Sequence, residues 1–125
     1  MIGLLPQLAP SLWTALFFLL AGHALADYSL QSDSMARGKN RNSVLAPGLV
    51  SKYAPRWFHW MAAHALIHGM VVGLIIDPVF GVIETVLHFC IDCGKCDDMY
   101  GINVDQTLHI GCKVGYILAL VSMVS

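Results

Sequence analysis

Four pairs of side chains that commonly ligate metals recur in this sequence, each pair four residues apart inside an apolar segment. The pairs are His23/Asp27, His64/His68, His88/Asp92 and Asp105/His109. Residues four apart lie one above the other on the same face of a helix, so each pair would present two donor atoms in one direction. Because one pair falls in each hydrophobic segment, the pattern predicts four helices that bring their donors together.

Histidine nitrogens combined with carboxylate oxygens favour Zn²⁺, Mn²⁺ or Fe²⁺ as the bound ion. We expect the eight side chains to hold one or two divalent ions, with Asp92 and Asp105 as the catalytic carboxylates. Such an ion activates water and polarises a phosphoryl or carbonyl oxygen, which points to hydrolysis of a phosphoester, lipid or nucleotide-like substrate. Gln31 and Gln106 lie close to these ligands in the sequence and are expected to orient them or the substrate.

Cationic side chains near the pairs are expected to attract an anionic headgroup or phosphate. These predicted substrate-binding residues are Arg37, Lys39, Arg56, Lys95 and Lys113. Lys113 lies inside the last apolar segment, where it can instead pair with a carboxylate or extend toward the nearer membrane face. His59 stands outside the four-residue spacing, beside Trp60, and is interpreted as a surface histidine.

The elements that must position these residues belong to a membrane protein. Of the 125 residues, 57% are hydrophobic and only 12% are charged, whereas soluble chains carry about 25% charged residues. A chain of this size has too little interior to hide so much apolar surface from water. We therefore predict one integral membrane domain over residues 1–125, with the lipid bilayer as its partner. The net charge of −1 and the lack of a basic block exclude nucleic-acid binding.

The predicted fold is all-α, a four-helix up-down transmembrane bundle with a polar His/Asp cluster near one membrane face. The predicted helices are 4–31, 56–76, 79–93 and 103–124, and the polar loops are 32–55 and 94–102. If the helices alternate in direction, all four pairs lie near the same face. The first segment has a second interpretation as a cleaved signal peptide, because Ala24 and Ala26 precede Asp27 in a cleavage-like pattern.

Lys and Arg residues of the loops lie on the pair-bearing face, and the opposite face has none. The positive-inside rule then makes the pair-bearing face cytoplasmic in a bacterial inner membrane, with both termini periplasmic. Cys90, Cys93, Cys96 and Cys112 are interpreted mainly as small apolar fillers, with a metal or redox role left open.

Two other functions fit the same residues. The polar pairs can hold helices together in a non-enzymatic membrane accessory protein that binds a partner or forms a homo-oligomer, as phage accessory proteins do. Closely spaced glycines, including Gly111 and Gly115, would permit such helix contact. Alternatively, two histidines from different helices can ligate haem.

The sequence also resembles a family, the domain of unknown function DUF3307, found in small bacterial and phage-encoded membrane proteins. The blocks that carry the resemblance are residues 23–36 with Lys39, residues 64–68, residues 88–95 and residues 105–109. The resemblance implies membrane placement, the same set of site residues and a phage or prophage origin. It implies no reaction. The series Cys90, Cys93 and Cys96 departs from the family pattern, which leaves a cysteine ligand in doubt.

Overall fold

The computed structural model describes residues 11–43 and 51–124, which form five α-helices and no strand. The helices are α1 (Leu12–Ala24), α2 (Asp33–Gly38), α3 (Trp57–Ile75), α4 (Pro78–Cys96) and α5 (Ile102–Val124), and a π-helical segment, Leu25–Ser29, continues α1. The four long helices match the four predicted ones, so the all-α class is confirmed. The start of the first predicted helix, which contains Pro6 and Pro10, lies outside the described residues.

Side-chain caps fix where three of the helices begin. The hydroxyl of Ser11 accepts a hydrogen bond from the Thr14 amide at 3.2 Å, at the start of α1. At α4 the Asp77 carboxylate accepts from the amide of Val79, and Pro78 occupies the first turn, where its missing N–H costs nothing. Ser32 caps α2 in the same way. The short helix α2 lies inside segment 32–55, which we expected to be a loop.

Helix α4 ends at Cys96, three residues later than the predicted end at residue 93. The prediction took Gly94 as a stop signal, but here Gly94 is a packing position inside the helix. A side chain at Gly94 would meet the Tyr100 hydroxyl at 2.5 Å. That hydroxyl donates a hydrogen bond to the carbonyl of Ile91, and Asp98 makes the turn with a φ of 56°. Tyr100 therefore folds back over the last turn of α4.

Glycines allow the backbones of α3 and α4 to approach closely. A Cβ atom on Gly81 would lie 2.6 Å from the carbonyl oxygen of Gly69 and 3.0 Å from the Cα atom of Gly73. A Cβ on Gly69 would overlap the Thr85 hydroxyl. The other glycines with helix-contact spacing, on α5, have open space around them and face outward. Close packing through glycine thus joins α3 to α4 and leaves the outer face of α5 free.

The distribution of polar and apolar side chains is inverted relative to a water-soluble protein. The buried polar side chains are His23, Lys39, His64, His68, Glu84, His88, Asp92, Asp105, His109 and Lys113. Large apolar side chains point outward instead, such as Trp13 (80% exposed), Phe17 (65%) and Leu118 (63%). The apolar core cluster lies at the other end of the bundle, around Leu19 and Val72.

Among the described helices, α3 is the one that is long and apolar enough to cross a membrane on its own composition. The five-helix, strand-free architecture is thus established for the described residues. The transmembrane arrangement of all four long helices stays a prediction.

Candidate metal centre

The predicted pair on α1 and the pair on α3 meet through the carboxylate of Asp27. Its Oδ1 atom lies 3.3 Å from Nε2 of His64 and 3.3 Å from Nε2 of His68. His23, one turn earlier, is 3.6 Å from Oδ2 of Asp27. Asp27 lies in the π-helical segment, where the Leu30 amide bonds to the carbonyl of Leu25. Such wider turns are frequent at functional sites, and this one carries the carboxylate that faces α3.

Helices α4 and α5 each contribute a line of three polar residues spaced four apart. The lines are Glu84, His88 and Asp92 on α4, and Asp105, His109 and Lys113 on α5. The two helices run antiparallel, so the lines meet in reverse order. Lys113 pairs with Glu84 at one end, the rings of His109 and His88 stack at 4.1 Å in the middle, and His109 Nε2 lies 3.1 Å from Asp92 Oδ1.

Asp92 connects the two halves of the cluster. Its Oδ1 atom lies beside Nε2 of His109, while its Oδ2 atom is 3.4 Å from Nε2 of His64. Oδ2 also accepts a hydrogen bond from the ammonium group of Lys39, which comes from the loop after α2. A carboxylate whose two oxygens face different histidines has the arrangement of a bridging ligand.

Three groups of donor atoms are compact enough to hold a metal ion, with all donors in each group within 4.8 Å of one another. The groups are Asp27/His64/His68/His88, Glu84/His88/His109 and Asp92/Asp105/His109. Seven of the eight predicted ligands belong to at least one group. The eighth, His23, contacts the Asp27 carboxylate and stacks its ring 5.1 Å from both His68 and His109. The structure therefore brings all eight predicted ligands to one place.

Most of these imidazoles lack hydrogen-bond partners among the described residues. Both ring nitrogens of His64 and of His88 have none, and neither do Nε2 of His68 and Nδ1 of His109. Four of them, Nε2 of His64, Nε2 of His68 and both nitrogens of His88, lie 3.3–3.6 Å from carboxylate oxygens, yet these contacts do not have hydrogen-bond geometry. Buried polar groups are nearly always satisfied, so orphaned donors that point at a common centre indicate a ligand there.

The buried charges are also unbalanced. The cluster contains four carboxylates, Asp27, Glu84, Asp92 and Asp105, of which Asp27 is the least buried. The buried cations beside them are Lys39 and Lys113. Two carboxylate charges are left without a buried lysine, and an uncompensated buried charge is very costly. A divalent cation would supply the missing charge.

The two predicted orienting glutamines take different positions. Gln106 lies at the centre: its amide nitrogen donates to Asp27 Oδ2 at 2.8 Å and to Asp105 Oδ2 at 3.1 Å, and its carbonyl oxygen is 3.2 Å from His23 Nε2. Gln106 thus ties α5 to the end of α1. Gln31 donates to the backbone carbonyl of Asp27, and its own carbonyl oxygen is buried without a partner.

The five predicted substrate-binding cations separate into three locations. Lys39 is buried against Asp92, and Lys95 lies nearby with its ammonium group 3.7 Å from Asp105 Oδ2. Arg37 and Arg56 are exposed and line a different pocket. Lys113 is buried in its ion pair with Glu84, away from any surface. Of these five, Lys39 and Lys95 therefore lie against the carboxylates of the candidate centre.

A pocket of about 360 Å³ opens at this end of the bundle, and Asp92, Lys39 and Lys95 line it. It connects the polar cluster with the outside through side chains of the loop after α2, the end of α4 and the start of α5. Gly38, next to Lys39, packs directly against the Trp60 ring, which a side chain there would strike. The absence of a side chain lets the residue before Lys39 lie against α3.

Sequence reasoning missed two buried residues, Glu84 and Tyr116. The Tyr116 hydroxyl donates to Oε2 of Glu84 at 2.6 Å, and Oε1 of Glu84 lies 3.4 Å from Nδ1 of His88. The signal was available: Glu84 lies four residues before His88 and extends its pattern by one turn. The search counted histidine and aspartate as donors and left out glutamate.

The outer rim of the site is held by Arg41 and Asp97. Arg41 donates two hydrogen bonds to the Asp97 carboxylate, and its guanidinium lies 5.6 Å from the centre of the Trp57 ring. These hydrogen bonds from Arg41 hold the pKa of Asp97 below its usual range.

His59 is exposed, in agreement with its interpretation as a surface histidine. Cys90, Cys93, Cys96 and Cys112 are free thiols and belong to none of the three donor groups.

Comparison with known proteins identifies a family but no function. A family model described as "Protein of unknown function (DUF3307)" matches residues 15–124, which is most of the chain. Neither the curated proteins nor the solved structures include a significant match to it. Any function must therefore be argued from the site.

Proposed function

Since the chain belongs to the DUF3307 family, whose description states no function, we propose from the site itself that this protein is a metal-dependent hydrolase of the bacterial inner membrane. Its substrate would be a phosphoester, presented at the cytoplasmic face. The observation that carries the proposal is the set of buried imidazoles that have no hydrogen-bond partner but converge on shared carboxylates.

The inverted distribution of side chains supports a single integral membrane domain whose four long helices cross the bilayer. Helix α4 has 19 residues, which at about 1.5 Å per residue is close to the thickness of the hydrocarbon core. It carries three charged residues, Glu84, Asp92 and Lys95. Glu84 and Asp92 are buried, and Lys95 lies in the last turn of the helix. The residues that it exposes, such as Val82 and Val86, are apolar. Polar residues in membrane helices usually face the interior in this way.

The proposed orientation keeps loops 32–55 and 94–102 in the cytoplasm and both termini in the periplasm. It follows from the six Lys and Arg residues outside the helix interiors, all on the site face. Alkaline phosphatase fused to the C-terminus should therefore be active, since it folds only in the periplasm. If the fusion is active only when it is placed in loop 94–102, the orientation is the opposite of the one proposed.

We assign two ions to the centre, with Asp92 as the bridging carboxylate. Asp27, His64, His68 and His88 would hold one ion, and Asp92, Asp105 and His109 the other. Asp92 faces both groups through its two oxygens, at 3.4 Å from His64 Nε2 and 3.1 Å from His109 Nε2. Two ions of this kind supply an activated water and charge stabilisation for a phosphoryl oxygen.

The residues of the chain have separate roles in this scheme. Asp92 and Asp105 set the charge of the centre, and Asp92 also lines the pocket, while Gln106 fixes the orientation of both Asp27 and Asp105. Glu84 lies beside Nδ1 of His88, so it would accept that proton and leave Nε2 free as the ligand. Glu84 is therefore a positioning residue, in contrast to the seven ligands of the two ions.

A structural polar core is the second candidate, and a specific observation favours it. Three of the carboxylates already have lysine partners: Asp92 pairs with Lys39, Glu84 with Lys113, and Asp105 with the partly exposed Lys95 at 3.7 Å. Polar side chains are also a common means of joining membrane helices. Under this function the protein would be a membrane accessory or interaction protein, or a homo-oligomer. The buried histidine nitrogens without a hydrogen-bond partner argue against it, since polar side chains that join helices would be hydrogen-bonded to one another.

Haem fits the cluster less well than metal ions do. The rings of His68 and His88 are stacked face to face with centroids 3.6 Å apart. Axial ligands must instead point their nitrogens at each other from opposite sides of a porphyrin plane. The expected visible spectrum therefore lacks a Soret band, and a band in the purified protein would revive this possibility.

The proposed activity is tested by phosphomonoester hydrolysis in detergent micelles or nanodiscs after reloading with Mn²⁺ or Zn²⁺. His88→Ala should abolish the reaction, and a fall of at least about 100-fold is expected when a metal ligand is removed. His59→Ala is the matched control, because His59 is exposed and outside the cluster. Loss of activity in both variants, or in neither, would contradict the assignment of the centre.

A further inference from the structure

The pocket of about 360 Å³ beside the candidate metal centre has a lining suited to one small anion. Its polar wall carries the two lysines Lys39 and Lys95 and the two carboxylates Asp92 and Asp98, together with Gln31, Asn40 and Tyr100. Lys39 and Lys95 come from different segments of the chain, one from the loop after α2 and the other from the last turn of α4. Both ammonium groups contact carboxylates that we assign to the metal centre.

Lys39 occupies the place that a metal ion would need at Asp92. Its ammonium group bonds to Oδ2, the same carboxylate oxygen that lies 3.4 Å from Nε2 of His64. A lysine cannot ligate a metal while protonated, and its positive charge repels the ion. Metal binding and the Lys39–Asp92 ion pair therefore compete for one oxygen atom.

We propose that metal binding releases Lys39 from Asp92 and that the freed ammonium group, together with Lys95, then binds the phosphate group of a monoester substrate. This inference rests on the proposed metal centre and adds to it the substrate-binding subsite and its coupling to the metal. Lys39 changes its partner from a carboxylate oxygen to a phosphate oxygen. The pocket, which Lys39 and Asp92 both line, provides the room for that change.

A phosphate monoester matches the charges better than a singly charged anion does. Its group carries about −1.5 to −2 charges at neutral pH and presents three acceptor oxygens. Two ammonium groups and the metal centre can each take one of them. The pocket volume accommodates the phosphate and a small part of the alcohol, so the remainder of a lipid or other substrate would extend outside.

Because the two ligands use Lys39 in opposite ways, their binding must be linked. A ligand that removes Lys39 from Asp92 favours the metal, and by reciprocity the metal favours that ligand by the same factor. Full-length protein in nanodiscs of zwitterionic lipid tests this with Mn²⁺ and glycerol phosphate. Binding of each is measured by calorimetry with and without the other, and phosphorus relaxation reports the proximity of phosphate to Mn²⁺.

Lys39→Met is expected to change the affinities for Mn²⁺ and for glycerol phosphate in opposite directions. Removing the competing cation should tighten Mn²⁺ binding, by about tenfold if the ion pair is as strong as other charge-assisted hydrogen bonds. The same substitution should weaken glycerol phosphate binding by at least about tenfold and remove its dependence on Mn²⁺. A merely structural Lys39 would instead weaken both. Lys52→Met is the control, since Lys52 is a lysine of the same membrane face that lines a different pocket.

The outcomes distinguish the subsite from the metal centre. If Mn²⁺ binds but glycerol phosphate binds equally well to Lys39→Met and wild type, the subsite is wrong and the metal centre stands. If Mn²⁺ binds to neither protein, the proposed function fails first. A parallel measurement with phosphatidic acid in the nanodisc identifies the source of the phosphate. Tighter binding of phosphatidic acid than of glycerol phosphate would identify a lipid headgroup as the ligand, and tighter binding of glycerol phosphate would identify a soluble ester.

Discussion

Glu84 offers the sharpest test of the buried network between α4 and α5. Replacing it with leucine leaves the ammonium group of Lys113 without its carboxylate in an interior where both side chains are 1% exposed. Breaking a buried pair from one side costs about 3–5 kcal/mol, because a charge is left uncompensated. The hydroxyl of Tyr116 also loses its acceptor. Glu84→Leu should therefore destabilise the folded protein by about 3–5 kcal/mol.

The double variant Glu84→Leu/Lys113→Met distinguishes the ion pair from simple packing. It removes both charges, so only the Tyr116 hydroxyl is left unsatisfied, at a cost of about 1–3 kcal/mol. Unfolding by sodium dodecyl sulfate in mixed micelles, followed by circular dichroism, measures the free energies. Asp33→Leu, at an exposed carboxylate, should change stability by less than about 1 kcal/mol. A double variant as unstable as the two single changes combined would refute a buried pair.

Three further predictions concern helix packing, the rim and the metal. Gly81→Ala should destabilise the bundle, because its Cβ would press on the backbone of α3. Gly111→Ala is the control: it has open space and should be neutral or slightly stabilising. Thermal unfolding compares the two variants. The bonds from Arg41 lower the pKa of Asp97 below 3.8, so their stabilisation is present above that pH and is lost as the pH falls through the lowered value; Asp97→Asn should remove this acid-dependent part of a pH series, and an unchanged series would contradict it. Chelation should lower the unfolding temperature of the wild type, since an ion at 100 times its Kd adds about 2.7 kcal/mol, and should lower that of Asp92→Asn by less.

The sequence allowed the four helices and the convergence of their donor pairs to be predicted, for a physical reason. Spacing of four residues fixes the face of a helix, and alternation of helix direction fixes the end at which a pair lies. His64 and His68 meet Asp27 as this reasoning requires. The continuation of α4 through Gly94 was not predicted, because it depends on the contact of Gly94 with Tyr100, which a reading of glycine as a stop signal does not take into account.

The position of Lys39 could not be predicted either. A lysine in a polar loop is normally solvated, and its own sequence context contains no apolar pattern. It becomes buried because Gly38 lets the loop lie against α3 and because Asp92 attracts it. Lys113 was predicted to bind substrate, with a carboxylate pair as one alternative, and the structure shows it buried in the pair with Glu84. Both helices carry three polar residues spaced four apart, Glu84, His88 and Asp92 on α4 and Asp105, His109 and Lys113 on α5. That shared spacing is visible in the sequence.

Metal stoichiometry is the measurement that tests the central claim most directly. Elemental analysis of the wild-type protein, purified without chelators, should find two divalent ions of Zn, Mn or Fe per chain. The variant Asp92→Asn should lose at least one of them, and His88→Ala combined with Asp105→Ala should lose both, while His59→Ala keeps the wild-type content. Wild-type protein without stoichiometric metal, or unchanged content in the double variant, would contradict a metal centre at these residues.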